Sequence, residues 1–227
     1  MRPGIGLTLA LVAGIFGIRI AIANVPRAAA VVPAPAVDER SAGVHQASTV
    51  LAGGCFWGVQ AVFQHIKGVK TVVSGYAGGE INAPTYQLVS SGMTGHAEAV
   101  RITYDPTLVS YGTLLKVFFS VVHDPTQLNR QGPDRGTQYR SAIFYEGDEQ
   151  RRVAESYVAQ LTAAKAFDSP IVTQVAPLAG FHAAEDYHQN YATSHPYEPY
   201  ILMNDAPKIR LLEKSEPQLW RPEIVSR

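Results

Sequence analysis

The chain has 227 residues, which is enough for one sizeable domain with additional segments and a substantial core. Its 19 lysine and arginine residues balance its 19 aspartate and glutamate residues, and no basic run marks a patch for nucleic acid. Because the chain has a single cysteine, it has no internal disulfide, no CxxC pair and no cysteine-rich metal cluster.

The N-terminal segment has the order of a secretory signal. Arg2 precedes an apolar run over residues 5–18, and a small-x-small site follows at residues 21–23. The run is shorter than the roughly 20 apolar residues that span a bilayer. We therefore predict a signal peptide or anchor over residues 1–23 and an exported protein, either periplasmic or membrane-anchored and facing outward. A disordered cytoplasmic extension behind a merely hydrophobic leader is the alternative.

The first elements of the folded region surround the only cysteine. Residues 24–47, rich in Ala and Pro, predict a flexible linker, and residues 48–51 then indicate a strand. An apolar helical stripe follows, formed by Val59, Val62, Phe63 and Ile66. Cys55 lies between strand and helix, in a glycine-rich turn with Gly54 before it. Free N–H groups and the helix dipole favour a sulfur anion at such a helix entrance, so the position predicts a nucleophile.

The remaining chain alternates between strand and helix patterns as one domain over residues 48–227. Strands are predicted over residues 69–74, 96–104, 138–145 and 171–175, and helices over residues 110–122, 148–166 and 183–193. Residues 75–95 and 129–136 predict loops, and five prolines predict that the tail from residue 196 wraps the domain as loop. Strands separated by amphipathic helices favour a two-layer α/β (α+β) plait with a mixed, ferredoxin-like sheet over a doubly wound nucleotide fold.

Two aromatic residues follow the cysteine directly. Trp57 lies off the apolar stripe of the helix, so it is either one wall of an apolar pocket or a packing residue for the long loop. Phe56 lies closer to the stripe, and for this residue alone core packing is the simpler interpretation.

A carboxylate on an apolar strand face is the next candidate. Side chains alternate along a strand, so Glu98 shares a face with Val100 and Ile102. Burial raises the pKa of a carboxyl, which makes Glu98 a candidate proton donor near neutral pH. The alternative is a structural glutamate that is satisfied by backbone donors or by Arg101.

Other polar residues give weaker signals. Asp134 lies in a turn between Pro and Gly, and Tyr86 follows Pro84-Thr85 in the long loop. The seven histidines show no metal-binding spacing, so we expect no metal site and interpret most of them as surface or cap residues. A Cys–His hydrolytic pair remains open, because such partners are distant in sequence.

Taken together, the motifs resemble the A-type peptide methionine sulfoxide reductase family. The segment Gly53-Gly54-Cys55-Phe56-Trp57-Gly58 is similar to the nucleophile segment of that family. The further matches, in family order, are residues 75–79, 85–86, 94–100, 123–125, 130–132, 136–141 and 184–189. They cover most of the chain from about residue 49 to residue 205.

The resemblance implies roles for individual residues. It implies that Cys55 attacks the sulfoxide sulfur and that Glu98 protonates its oxygen. Tyr86 and Tyr139 assist through their hydroxyls, and Asp134 orients groups of the same polar site. The substrate's methyl group is held by Phe56 and Trp57, beside Gly54. The family acts on the S epimer at sulfur, in free or protein-bound methionine sulfoxide, and its fold is the α/β plait.

One departure from many relatives concerns recycling. Further cysteines are common in the tails of the family, but this tail contains none, and Ser90 occupies a loop position where some relatives have Cys. We therefore expect no bound cofactor, and an external thiol reductant, thioredoxin or glutaredoxin with glutathione, that reduces the oxidised cysteine. Nothing in the sequence demands a partner subunit, so we expect a monomer. A redox-sensing module with poor turnover is the alternative.

Overall fold

The computed structural model describes residues 32–39 and 43–225. The predicted signal peptide and the first part of the predicted linker lie outside the described residues. Within the linker, Val32 is buried, the Tyr157 hydroxyl donates to the Pro33 carbonyl at 2.8 Å, and the N–H of Gly112 donates to Asp38 at 2.7 Å. This part of the predicted flexible linker is therefore held against the domain by specific contacts.

A six-stranded mixed sheet forms the centre of the domain, in the order β7-β6-β1-β3-β2-β8. Its strands are β1 (Ala47–Gly53), β2 (Val69–Ala77), β3 (Ala97–Tyr104), β6 (Ser141–Tyr145), β7 (Gln174–Pro177) and β8 (Phe181–Ala183). A separate small hairpin consists of β4 (Arg130–Gln131) and β5 (Asp134–Arg135). All pairs in the large sheet are antiparallel except β6 with β7.

The helices pack around this sheet. They are α1 (Phe56–Gln64), α2 (Tyr86–Ser90), α3 (Tyr111–Val117), α4 (Asp148–Ala163), α5 (Tyr191–Ser194) and α6 (Ala206–Ser215). Ser110 caps α3, because its side chain accepts the N–H of Thr113. A π-helical turn, Phe118–Val122, continues α3, and a second one, Ile201–Asp205, precedes α6.

The two faces of the sheet carry cores of different size. Residues of β3 at even positions, among them Val100 and Ile102, join the large core with α1, α3 and α4. Ala97 and Ala99 point to the opposite face and join a smaller cluster around Phe144. Glu98 therefore lies on the face that carries the large core, as the alternation of the strand predicts.

The structure confirms a mixed α/β fold and the strands predicted around residues 48–51 and 96–104. The predicted start of the loop at residue 75 is wrong, because β2 continues to Ala77. At Gly75 the carbonyl of His182 and the ring of Phe181 lie where a side chain would stand, so the missing side chain lets β8 pair there.

Two predictions near the C-terminus are wrong. Residues 183–193 do not form one helix but the end of β8, the 3-10 turn Asp186–His188 and the start of α5. The tail is not loop throughout, because α6 buries Leu212 in the core. Pro207 lies in the first turn of α6, where a missing N–H costs nothing, so this proline begins a helix instead of breaking one.

Backbone hydrogen bonds fix the tail beyond α6. The N–H of Lys67 donates to the carbonyl of Leu219, and the N–H of Arg221 donates to the carbonyl of His65. These bonds attach the last described residues to the end of α1. Within residues 32–39 and 43–225, no helix is both long enough and apolar enough to cross a membrane.

Candidate active site

Cys55 lies at the entrance of α1, as the sequence predicts. Gly54 makes the turn from β1 with φ +95°, a conformation that favours glycine, and a Cβ there would collide with Gln131. Cys55 itself is the N-cap residue of α1. It is a free thiol, and the residue is buried, with 8% of its surface exposed.

The ionisation of Cys55 differs from the sequence-based expectation. Burial raises the pKa of the thiol well above its usual value, and the nearby carboxylates Glu98 and Asp205 raise it further. The N–H of Trp57 acts in the opposite direction, but the loss of hydration outweighs it. The helix entrance is present, yet the thiol is protonated in the resting site at neutral pH.

Glu98 lies beside the same helix entrance. Its Oε2 accepts a hydrogen bond from the N–H of Phe56 at 3.1 Å, and the residue is 2% exposed. Burial raises the pKa of Glu98 to about 8, and the charge of Asp134 contributes in the same direction. The alternative partner, Arg101, contacts Glu146 instead, with Nη2 3.8 Å from Oε1. Glu98 is therefore a buried carboxylic acid that keeps its proton at pH 7.

Phe56 and Trp57 form the aromatic side of the site. Phe56 is buried, and its ring centroid lies 5.9 Å from that of Tyr76. Trp57 is half-buried and packs against the C-terminal part of the chain, with its ring stacked on Tyr191 at 3.9 Å and edge-on to Tyr200 at 5.9 Å. Trp57 therefore packs against the aromatic residues of the segment that contains Tyr191 and Tyr200.

Tyr86 and Tyr139 approach the thiol and the acid from two different loops. Tyr86 begins α2, and Tyr139 ends the 3-10 turn Thr137–Tyr139. Burial raises the pKa of both hydroxyls, and the charges of Glu98 and Cys55 act on each of them. Both phenols are therefore protonated donors near the sulfur and the acid.

Asp134 lies in the small β4–β5 hairpin and is half-buried. Its Oδ2 accepts a hydrogen bond of 2.5 Å from the hydroxyl of Tyr200, which immediately precedes the turn Ile201–Asp205. Burial raises the pKa of Asp134, whereas Tyr200 and Lys208 lower it. The site thus has two sides, which we call the sheet wall (Cys55, Phe56 and Glu98) and the loop wall (Asp134 and Tyr200).

Sequence reasoning missed several residues of this site, above all His188. The interpretation of most histidines as surface or cap residues is wrong for His188, which is buried beneath the aromatic side. Trp57 Nε1–H donates to its Nδ1 at 3.2 Å, and the rings of Phe56 and Tyr86 lie 5.1 and 4.3 Å away. Tyr191 and Tyr200 were missed as well. Their common signal is a run of aromatic residues between residues 187 and 200, which the sequence offers without any periodicity.

Glu185 connects the strand, the loop and the site. Its two carboxylate oxygens accept from the hydroxyl of Tyr76 at 2.8 Å and from the N–H of Tyr86 at 2.9 Å. The carboxylate therefore fixes the start of α2, and with it Tyr86, relative to β2.

The arrangement supports oxygen removal from a small polar group. It combines a thiol, a protonated carboxyl, two phenols and an apolar aromatic side around the entrance of α1. Such a set can attack an electrophilic sulfur and protonate the oxygen that leaves it. Among the residues that the structure describes, no group of three or more His, Cys, Asp or Glu side chains is placed to hold a metal ion.

Comparisons with known proteins agree with this chemistry. A family model described as peptide methionine sulfoxide reductase matches residues 47–219. The peptide methionine sulfoxide reductase MsrA 2 of Mesorhizobium japonicum is 53% identical over 189 residues, covering 83% of this chain and 96% of that protein. The MsrA of Chromobacterium violaceum is 52% identical over 165 residues, covering 73% of this chain and 93% of that protein.

Solved structures show the same likeness. Mxr1 from Saccharomyces cerevisiae in reduced form superposes with a TM-score of 0.60 at 31% identity, over 73% of this chain and 93% of that one. Methionine sulfoxide reductase A of Corynebacterium diphtheriae gives a TM-score of 0.59 at 36% identity, over 71% of this chain and 81% of that one.

Proposed function

The chain belongs to the peptide methionine sulfoxide reductase family, and we propose which of its residues perform the reaction. The reaction reduces methionine sulfoxide to methionine and thereby repairs oxidised proteins. Cys55 is the nucleophile and Glu98 the general acid. Tyr86 and Tyr139 donate hydrogen bonds to the sulfoxide oxygen, and Asp134 orients the polar groups. The observation that carries this assignment is the shared helix entrance, where the N–H of Phe56 donates to Glu98 one residue after Cys55.

The reaction moves one oxygen atom and two electrons. The substrate's S–O bond breaks, its sulfur is reduced to a thioether, and the thiol of Cys55 is oxidised to a sulfenic acid. The resting site carries a proton on both groups, because the pKa of Cys55 is raised by burial and that of Glu98 is raised to about 8. Glu98 gives its proton to the sulfoxide oxygen, and the thiol proton returns the carboxyl to its neutral form. No net charge is created in the buried site, where a lone charge is costly.

The aromatic side selects the substrate. The methyl group of methionine sulfoxide packs against Phe56 and Trp57 next to Gly54, where apolar contact favours it over a more hydrated competitor. The acid and the phenols donate to the oxygen of the same bound sulfoxide. Only one sulfur epimer then presents its oxygen to Glu98 while its methyl group contacts the aromatic rings, and we propose that this is the S epimer.

Recycling requires thiols from outside the chain, because the protein has only one cysteine. One external thiol attacks the sulfenic acid and releases water, which leaves a mixed disulfide on Cys55. A second thiol then releases Cys55 and carries away the disulfide. The donor is thioredoxin, or glutaredoxin with glutathione.

Turnover assays test these assignments. The purified protein is supplied with S or R epimers of a methionine sulfoxide peptide, and with thioredoxin, glutaredoxin plus glutathione, or dithiothreitol. We expect turnover of the S epimer alone, with at least one of the three reductants, and no turnover by Cys55→Ser. Turnover by Cys55→Ser, with its fold verified by circular dichroism, would overturn the assignment of the nucleophile.

Two further features of the chain belong to the same proposal. In the order β6-β1-β3-β2, with α1 and α3 as crossovers, the central strands support a ferredoxin-like plait that β7 and β8 extend at its edges. The leader over residues 1–23 supports export. The protein is also proposed to act as a monomer, because nothing in the sequence demands a partner subunit. Sequencing of the mature N-terminus tests export, since an uncut chain recovered from the cytoplasm would contradict it.

A further inference from the structure

Tyr200 approaches the site from a part of the chain that the reaction proposed above does not use. Its hydroxyl donates to Asp134 Oδ2 at 2.5 Å across 66 positions of sequence. A bond this short between a hydroxyl and a carboxylate is typical of a charge-assisted hydrogen bond. Tyr200 therefore stabilises the ionised form of Asp134.

The ring of Tyr200 has a second contact in the site. It meets Trp57 edge-on, at 5.9 Å and 85°, while Trp57 stacks on Tyr191 at 3.9 Å with an angle of 13°. Tyr200 is half-buried, and the π-helical turn Ile201–Asp205 follows it directly. One side chain thus touches both a polar and an aromatic residue of the site.

Several ionisable groups face Asp134 besides Tyr200. Lys208 on α6 favours the anion, since it lowers the pKa of Asp134. The charge of Asp134 in turn raises the pKa values of Glu98, Tyr139, Cys55 and Asp205. Asp134 is therefore the group through which a residue of the tail acts on the acid in β3.

We propose that Tyr200 is a positioning residue whose hydroxyl holds the carboxylate of Asp134 directed at the site, so that its charge helps Glu98 keep its proton until the sulfoxide oxygen takes it. This inference rests on the proposed role of Glu98 as the acid. It assigns to the tail a function in the chemical step, in a chain whose tail contains no cysteine.

The substitution Tyr200→Phe isolates the hydroxyl. The ring stays against Trp57, so substrate binding should change little. Without the donor, the carboxylate of Asp134 stays ionised but is no longer held at the site, and it turns toward solvent, where its charge is better hydrated. The charge of Asp134 then acts more weakly on Glu98, which lowers the pKa of Glu98, so the acid is deprotonated at a lower pH than in the wild type.

The experiment measures single-turnover rates against pH for the wild type, Tyr200→Phe, Asp134→Asn and the double variant. We expect Tyr200→Phe to move the alkaline limb of the profile to lower pH. Steady-state kinetics with a saturating reductant should in addition show kcat lowered by about three- to tenfold, the equivalent of one hydrogen bond, with KM unchanged within about twofold. Asp134→Asn should move the limb in the same direction, and Tyr200→Phe should add nothing in that background, because residues that act through one another are not additive.

Tyr197→Phe is the matched control, because this tyrosine lies three residues earlier in the same tail and is 86% exposed. It should leave the profile unchanged. An unshifted limb in Tyr200→Phe, or effects that add in the double variant, would overturn the inference while the wild-type profile still supports Glu98 as the acid. A wild type without any alkaline limb would instead contradict the proposed function itself.

Discussion

The sheet wall and the loop wall present carboxyl groups to the same thiol from different surroundings. Glu98 of the sheet wall is fixed in β3 and buried on the face of the large core, which raises its pKa to about 8. Asp134 of the loop wall lies half-buried in a two-residue strand, where Tyr200 and Lys208 oppose the effect of burial. Burial among apolar side chains keeps Glu98 protonated, so that it can act as an acid. The polar partners of Asp134 instead favour its ionised form.

Glu98→Gln removes the carboxyl group of the sheet wall. Glutamine keeps an oxygen for the N–H of Phe56 but supplies no acidic proton, so we expect the single-turnover rate to fall by about 10²- to 10⁴-fold. Rapid quenching of one turnover measures this rate without any influence of the reductant. Glu155→Gln, on the exposed side of α4, is the matched control and should react like the wild type. An intact rate in Glu98→Gln would mean that the acid is another group.

The pH dependence of the same rate reports on the difference between the two carboxyls. Glu98 is active while protonated, so the rate should be highest below about 8 and should fall about tenfold per pH unit above it. A stopped-flow series across this pH range, with a substrate that does not titrate, measures this fall in rate, which is the alkaline limb of the profile. In Glu98→Gln this limb should be absent. A limb that stays in place in that variant would assign the titration to a different residue.

His188→Phe tests the aromatic side that joins the two walls. The ring volume remains, but Trp57 Nε1–H loses its acceptor at 3.2 Å, and the other ring nitrogen of His188 has no hydrogen-bond partner among the described residues. We expect KM for the sulfoxide to rise by about three- to tenfold, the effect of one lost hydrogen bond, with a smaller change in kcat. Steady-state kinetics provide the measurement, and His45→Asn on the exposed N-terminal side is the control. An unchanged KM would show that Trp57 does not need this bond.

Asp205→Asn has the smallest expected effect and concerns the charge beneath the thiol. Asp205 is fully buried, with Oδ1 3.3 Å from Nζ of Lys208, and its charge raises the pKa of Cys55. The neutral side chain should lower that pKa, so alkylation of Cys55 by a neutral reagent at pH 8 should be several-fold faster. Asp148→Asn, on the surface at the start of α4, should leave the alkylation rate unchanged. Equal or slower alkylation in Asp205→Asn would contradict the electrostatic account.

Local patterns predicted the sheet wall well. The strand before Cys55, the helix after it and the apolar face of Glu98 all follow from periodicity over fewer than ten residues. The ionisation of Cys55 was predicted wrongly, because the helix entrance is visible in the sequence whereas the burial that outweighs it depends on the whole fold.

The contacts of the loop wall and of the aromatic side could not be predicted from the sequence for the same reason. Tyr200 and Asp134 are 66 positions apart, and Trp57 and His188 are 131 positions apart. Neither pair leaves a spacing signal. The prolines of the tail also predicted loop where Pro207 begins α6, and the helix that carries Lys208 to Asp205 was therefore missed.

The most direct test of the account follows the oxygen atom. One equivalent of an S-sulfoxide peptide is added to the reduced protein without any other thiol, and the products are analysed by mass spectrometry after labelling with a dione that reacts with sulfenic acids. We predict one equivalent of methionine peptide and one label on Cys55. Methionine formed while Cys55 remains an unlabelled thiol would contradict the claim that this sulfur receives the oxygen.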